Sequence, residues 1–182
     1  MRRLANFANL LTLARLLLAP FIFLAIVNGR HSFALVLFAC AAFTDGIDGM
    51  LARRFGQITP LGAYFDPIAD KILLSGVYTS LAIVGSVPWW LVIVIFSRDI
   101  FLLASSGIVL LFTAVRQFQP SVWGKASTFV QIVCAITWMT QNAVNSAALH
   151  ALAQALVWPT AAATIWSGLH YTWRGIRFVR MH

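Results

Sequence analysis

The chain has 182 residues, of which 60% are hydrophobic by type and only 10% are charged. Soluble domains usually carry about 25% charged residues, so this composition excludes an ordinary water-soluble domain and favours an integral membrane protein. The net charge is +8, but the basic side chains form no arm interleaved with aromatic residues, which argues against nucleic-acid binding.

Six apolar segments follow one another with short connections, and each is long enough to form a membrane-spanning helix. Their predicted limits are 8–28, 32–53, 61–85, 88–113, 124–147 and 150–173. Asn28-Gly29 is expected to end the first, Thr59-Pro60 to start the third, and Gly85-Ser86 to end it. The sequence therefore predicts an all-α integral membrane fold, a bundle of six transmembrane helices that forms a single domain over residues 1–182.

The basic residues predict the orientation of this bundle. An even number of spans places both termini on one side of the membrane, and most basic residues near the span ends fall on that side. These residues are Arg2, Arg3, Arg53, Arg54, Arg116, Lys125, Arg174, Arg177 and Arg180. The opposite side holds Arg30. Because cytoplasmic loops are enriched in Lys and Arg, both termini and the connection 54–60 are predicted to be cytoplasmic.

The acidic residues are few and clustered. The chain has no Glu and five Asp, and four of the five lie within residues 45–70. On a helix that advances about 100° per residue, two stripes of residues result. The first stripe contains Asp45, Asp48, Gly49, Ala52 and Arg53, and the second contains Gly62, Asp66 and Asp70. A short connection makes the two helices antiparallel neighbours, so the stripes can face each other near the cytoplasmic surface.

Four carboxylates in one apolar cavity repel each other, and burial costs about 2.5–3.5 kcal/mol per Asp at the centre of a membrane helix. Divalent cations remove this penalty and also supply chemistry. Oxygen ligands without nearby His or Cys select Mg²⁺, Mn²⁺ or Ca²⁺, and four carboxylates can hold two ions that clamp a phosphoryl group. The glycines and Ala52 leave room beside the carboxylates, and Arg53 suits a diphosphate oxygen. Close helix packing explains any one small residue equally well.

The string D-x-x-D-G-x-x-A-R-x8-G-x-x-x-D-x-x-x-D fixes eight positions over 26 residues. It resembles the signature of the CDP-alcohol phosphatidyltransferases at every position. The resemblance implies that Asp45, Asp48, Asp66 and Asp70 bind two ions of Mg²⁺ or Mn²⁺, and that Asp70 is also the general base. It also implies a pocket for the cytidine diphosphate of CDP-diacylglycerol. The residues expected to shape that pocket are Gly49, Ala52, Arg53 and Gly62.

Three basic residues outside the motif are candidates for binding the acceptor alcohol, again through a looser family resemblance. Arg98 and Lys125 suit an acceptor phosphate, and Arg15 suits donor or acceptor. Each has a structural alternative: Arg98 can form an ion pair with Asp99, while Lys125 and Arg15 can anchor or snorkel at the membrane surface. Homodimers are usual in the family, so a homodimer in contact with membrane lipids is expected.

The acceptor itself is a glycerol-type alcohol by resemblance to the glycerol branches of the family. Glycerol 3-phosphate is the first expectation and phosphatidylglycerol, the acceptor of cardiolipin synthases, is the alternative. The segment Ile100–Ile108 lacks the second Arg that often follows in phosphatidylglycerophosphate synthases, which departs from that pattern.

A cation-coupled transporter is the alternative from another class. Paired aspartates on neighbouring membrane helices are typical of such proteins. A transporter does not account for Gly49, Ala52, Arg53 and Gly62 in register with the aspartates, so the sequence favours the enzyme.

Overall fold

The computed structural model describes the backbone of residues 2–55, 60–112 and 122–179, and the side chains of residues 13–44, 68–105 and 122–173. Within these ranges the chain forms six α-helices and no strand, which confirms the predicted all-α class. The helices are α1 Arg2–Val27, α2 His31–Phe55, α3 Pro60–Ile83, α4 Trp89–Phe112, α5 Val122–Val144 and α6 Ala147–Val179.

The first of two compact units contains Met1–Ser86 and Met139–Asn145. In this unit α1 packs against both α2 and α3. The buried face of α1 repeats every three or four residues and includes Ala19, Ile22 and Ile26, as expected for one side of a helix. On α3 the corresponding buried residues include Val77 and Leu81. Apolar packing along these faces holds α3, which carries half of the predicted acidic site, against α1.

Glycine turns end two of these helices, as the sequence predicts. Gly29 has a φ of 73° and its N–H donates to Ile26 O at 3.0 Å, while Arg30 N–H donates to Ala25 O at 2.8 Å. Gly85, with a φ of 77°, ends α3 by the same pair of hydrogen bonds. This is the Schellman arrangement, in which glycine takes the left-handed position that a Cβ disfavours. Short connections follow directly from these caps.

The second unit contains Val87–Trp138 and Ser146–His182. Here α4 packs against α6, with Leu91 and Ile95 fully buried on α4. Helix α5 is joined to α6 by a hydrogen bond from Gln131 Nε2 to Thr164 Oγ1 at 3.0 Å. The interior of this unit is therefore partly polar.

Helices α1, α5 and α6 differ most from their predicted limits, and α1 begins at Arg2 instead of residue 8. Helix α5 ends at Val144, and α6 begins at Ala147 and continues to Val179. Asn145 takes a left-handed φ of 55° between them, and its N–H donates to Gln141 O at 2.7 Å. Asn is one of the few residues besides Gly that adopts this conformation. The turn thus lies about three residues earlier than the apolar pattern indicates, and α6 continues beyond the apolar segment into basic sequence.

One helix of the described part, over Ala147–Trp173, is long and apolar enough to cross a membrane by length and composition. Two shorter apolar helical segments, Leu13–Val27 and His31–Thr44, lie earlier in the chain. The six predicted spans and their orientation stay a prediction.

Candidate functional site

The four clustered aspartates lie on two consecutive helices. Asp45 and Asp48 are on α2, and Asp66 and Asp70 are on α3. Asp70 is the member whose side chain is described. The other motif side chains lie outside the described residues, namely Asp45, Asp48, Gly49, Ala52, Arg53, Gly62 and Asp66. Among the side chains that are described, no three of His, Cys, Asp or Glu come close enough to hold a metal ion.

Asp70 forms an ion pair with Arg15 of α1. The Arg15 Nη1 group donates to Asp70 Oδ1. The side chain of Arg15 is only 4% exposed, whereas that of Asp70 is 45% exposed. The pair joins two helices whose residues are 55 positions apart, and no periodic pattern in the sequence links them. The structure therefore brings one predicted acceptor-site residue into direct contact with the predicted general base.

The accessible carboxylate of Asp70 fits a divalent cation. Carboxylate oxygens are the ligands that Mg²⁺ and Mn²⁺ prefer, and a side chain with nearly half its surface exposed can be reached by an ion. The neighbouring apolar residues Ala69 and Leu73 are buried, so the acidic side chain stands at the edge of a packed apolar face. This donor chemistry agrees with the metal predicted from the acidic stripes.

Arg98 of α4 lies in the interior of the second unit with 7% exposure. Its Nη1 group donates to Asp99 Oδ1 at 2.7 Å, and Nη2 donates to Ser167 Oγ at 2.8 Å and to Gly124 O at 3.4 Å. Asp99 is 6% exposed, so both charges are removed from water. One guanidinium thus connects α4, α5 and α6, and the ion pair with Asp99 anticipated from the sequence is present.

The Arg98 Nε atom is also buried and has no hydrogen-bond partner within the described part of the chain. A buried donor without a partner is uncommon in folded proteins and calls for an explanation. The alkyl part of Arg98 lies beside Gly168, where an added Cβ would stand 3.8 Å from Arg98 Cγ. The Nε donor of Arg98 is therefore left without a partner among the described residues.

Further polar side chains surround this ion pair. We call the set the buried polar layer, and it consists of Arg98, Asp99, Ser127, Gln131, Thr160, Thr164 and Ser167. The α6 members recur at intervals of four and three residues, so they lie on one face of the helix. That spacing is a sequence signal that could have identified Ser167 as a partner of Arg98, which the sequence analysis missed.

Lys125 follows Gly124 on α5 and is exposed. The nearby Trp123 packs edge-on against Trp166 of α6, with the ring centroids 6.0 Å apart. An exposed lysine beside exposed tryptophans is compatible with both predicted roles, acceptor binding and interfacial anchoring.

The chain is similar to known proteins along most of its length. The family model described as CDP-alcohol phosphatidyltransferase matches residues 5–166. A probable phosphatidylglycerophosphate synthase of Mycobacterium tuberculosis (strain ATCC 25618 / H37Rv) is 38% identical over 184 residues, covering 96% of this chain and 84% of that protein. The CDP-diacylglycerol--glycerol-3-phosphate 3-phosphatidyltransferase of Bacillus subtilis (strain 168) is 29% identical and covers 91% and 93%. The cardiolipin synthase (CMP-forming) of Homo sapiens is 30% identical, covering 94% of this chain and 63% of that protein.

Proposed function

Because the chain belongs to the CDP-alcohol phosphatidyltransferase family, we propose that it transfers a phosphatidyl group from CDP-diacylglycerol to glycerol 3-phosphate in phospholipid biosynthesis. CMP is the second product. The observation that carries this proposal is the complete family motif between Asp45 and Asp70, in a chain 38% identical to a probable phosphatidylglycerophosphate synthase over 96% of its length. The accessibility of Asp70, at one end of that motif, supports the proposal that it acts on the acceptor.

In the proposed reaction Asp70 removes the proton from the acceptor hydroxyl. The resulting oxygen attacks the phosphorus atom that carries the diacylglycerol, and the bond to the CMP oxygen breaks. A hydroxyl is a weak nucleophile at neutral pH, so a positioned base accelerates the step. No covalent intermediate with the enzyme is needed.

Asp45, Asp48, Asp66 and Asp70 are proposed to hold Mg²⁺ or Mn²⁺, as two ions. When bound, the metal supplies Lewis-acid polarisation of the diphosphate. Arg53 is proposed to contact the diphosphate through its planar guanidinium. The small residues Gly49, Ala52 and Gly62 are proposed to leave space for the cytidine and diphosphate against the helix backbones.

Arg98 and Lys125 are proposed to bind the acceptor, whereas Arg15 contacts Asp70 and is not assigned to the acceptor. The buried Nε donor of Arg98, which lacks a partner among the described residues, supports an anionic ligand at that position. Asp99 already balances the charge of Arg98 at 2.7 Å, and Ile100–Ile108 contains no second Arg. This weak local positive charge favours a singly charged phosphodiester over a phosphate monoester. Cardiolipin synthesis from phosphatidylglycerol is therefore retained as the second candidate function.

The protein is proposed to be integral to the cytoplasmic membrane, with six spans, both termini and the active site on the cytoplasmic side. Large apolar side chains on the helix surfaces support a lipid environment, for example Phe21 at 62% exposure, Phe43 at 70% and Ile93 at 61%. The basic residues near the helix ends support the orientation. A single functional domain over residues 1–182 and a homodimer complete the proposal.

The test is release of CMP from CDP-diacylglycerol by the purified protein with Mg²⁺ or Mn²⁺. Glycerol 3-phosphate and phosphatidylglycerol are supplied in separate reactions, and the lipid products are identified by mass. Phosphatidylglycerophosphate supports the first candidate, and cardiolipin supports the second. Cation movement across liposomes without CMP release contradicts both and identifies a transporter.

A further inference from the structure

Between residues 13 and 27 of α1, Arg15 is the charged residue on an otherwise apolar buried face. It is 4% exposed, and the buried residues that follow it on the same face of α1 are Ala19, Ile22 and Ile26. A buried guanidinium is tolerated when an opposite charge and hydrogen-bond acceptors meet it. The ion pair with Asp70 provides both. The position of Arg15 is therefore tied to α3, not to the membrane surface.

The two partners differ in accessibility. The pair joins Arg15 Nη1 to Asp70 Oδ1, and 45% of the Asp70 side chain remains accessible. An ionised carboxylate has two oxygens with about four acceptor positions, and the contact with Arg15 Nη1 uses one of them. Arg15 thus binds the carboxylate without covering it.

Packing fixes the backbone of Asp70, and the ion pair with Arg15 restricts the rotation of its side chain. Ala69 is 3% exposed, Leu73 6% and Leu74 7%, so α3 is held firmly at this point. The remaining freedom of Asp70 is rotation about its side-chain bonds. A contact from a buried arginine on a neighbouring helix removes most of that rotation.

We propose that Arg15 is a positioning residue for Asp70, and that it holds the carboxylate in the orientation that phosphatidyl transfer and metal binding require. This inference rests on the proposed function and refines it. Arg15 acts through Asp70 and does not bind the acceptor phosphate. Its loss lowers turnover and metal affinity and leaves the KM for the acceptor unchanged.

The experiment compares Arg15→Met and Arg15→Lys with Arg30→Met as a matched control. Arg30 is an exposed arginine in the α1–α2 turn. The full-length protein is purified in lipid nanodiscs, and three quantities are measured: kcat, the KM for each acceptor, and Mn²⁺ affinity by electron paramagnetic resonance. Thermal unfolding reports whether each variant is folded.

For Arg15→Met we expect kcat and Mn²⁺ affinity each to fall about 10- to 100-fold, the range typical when a residue that orients a metal ligand is removed. Arg15→Lys restores part of both, because lysine supplies the charge without the planar fork. Arg30→Met behaves as the wild type. In the Asp70→Asn background, Arg15→Met causes no further loss of Mn²⁺ affinity, because its effect passes through that carboxylate.

Two outcomes overturn the proposal. In the first, the acceptor KM rises while kcat and Mn²⁺ affinity stay unchanged, which makes Arg15 an acceptor ligand. In the second, the losses from Arg15→Met and Asp70→Asn simply add. If Arg15→Met does not fold, Arg15→Lys carries the same comparison. If the wild type releases no CMP, the proposed function has failed, and the Mn²⁺ measurements still decide whether Arg15 orients Asp70.

Discussion

Among the described side chains, each compact unit has one buried arginine paired with an aspartate, and the two pairs are built differently. In the first unit Arg15 reaches Asp70 on another helix, and the Asp70 side chain is 45% exposed. In the second unit Arg98 pairs with Asp99, the next residue on its own helix, and the Asp99 side chain is 8% exposed. An accessible carboxylate can exchange protons and ions with its surroundings, whereas a buried carboxylate serves to balance a neighbouring charge. The comparison supports the proposal that Asp70 takes part in the chemistry, and it fits a structural role for Asp99.

Metal removal is expected to have the largest effect of these changes. It should affect the site that contains the Arg15–Asp70 pair and leave the Arg98–Asp99 pair unaffected. Treatment with EDTA abolishes CMP release, because the proposed ligands include Asp70 and the reaction depends on bound divalent metal. Arg98 and Asp99 are joined by a direct hydrogen bond, so the second unit is expected to keep its helicity in EDTA. Activity assays and circular dichroism on the same sample check this. Full turnover after chelation contradicts the metal-dependent reaction.

Asp99→Asn is expected to destabilise the protein by about 3–5 kcal/mol, because it leaves the buried charge of Arg98 without a counter-charge. Denaturant unfolding in detergent measures this loss. The double variant Asp99→Asn with Arg98→Met removes both charges and is expected to recover much of the stability. A stable single variant shows that Arg98 finds its balance elsewhere.

Asp70→Asn is expected to lower turnover by about 10²-fold or more while the protein stays folded, since it removes the proposed base. It is also expected to lower stability, as Asp99→Asn does, because the Arg15 side chain is only 4% exposed and loses the counter-charge of Asp70. CMP release tests the expected loss of turnover, and thermal unfolding of the same samples tests the expected change in stability. Wild-type turnover in this variant removes Asp70 from the mechanism.

Ser167→Ala is expected to cost about 1.5–3 kcal/mol, because it deletes a hydrogen-bond acceptor of a charged guanidinium. The bond is 2.8 Å long and buried. Ser105→Ala serves as the control, since its hydroxyl bonds to the backbone of its own helix. An acceptor KM that rises with Ser167→Ala at unchanged stability places Arg98 in the acceptor site.

The sequence predicted the ends of the helices well where Gly or Pro residues mark them. Gly29 and Gly85 end α1 and α3 as expected, and Pro60 is the first residue of α3. The α5–α6 turn lies at Asn145, where neither Gly nor Pro interrupts the apolar pattern. The apolar pattern gives no sign of such a turn, so the predicted end of α5 and the predicted start of α6 lie too late in the chain.

The candidate site was predictable in its local part only. Residues on one helix share a stripe by simple geometry, and this is how the motif aspartates were grouped. The contact between Arg15 and Asp70 joins positions 55 residues apart and depends on how α1 rotates against α3. Ser167 contacts Arg98 across 69 residues, and the repeating hydroxyl residues of α6 were its only sequence signal. Tertiary packing, which a single sequence does not encode locally, determines both contacts.

The placement of Arg15 also specifies how α1 sits on its neighbours. Apolar helices slide and rotate against each other at little cost in lipid, because acyl chains are as apolar as leucine. A shift of one residue moves a helix by about 1.5 Å and turns it by about 100°. That turn would carry Arg15 away from Asp70 towards the side where Leu17 and Phe21 are exposed. The single charge of Arg15 among aliphatic side chains therefore selects one alignment of α1, whereas apolar packing alone would permit many.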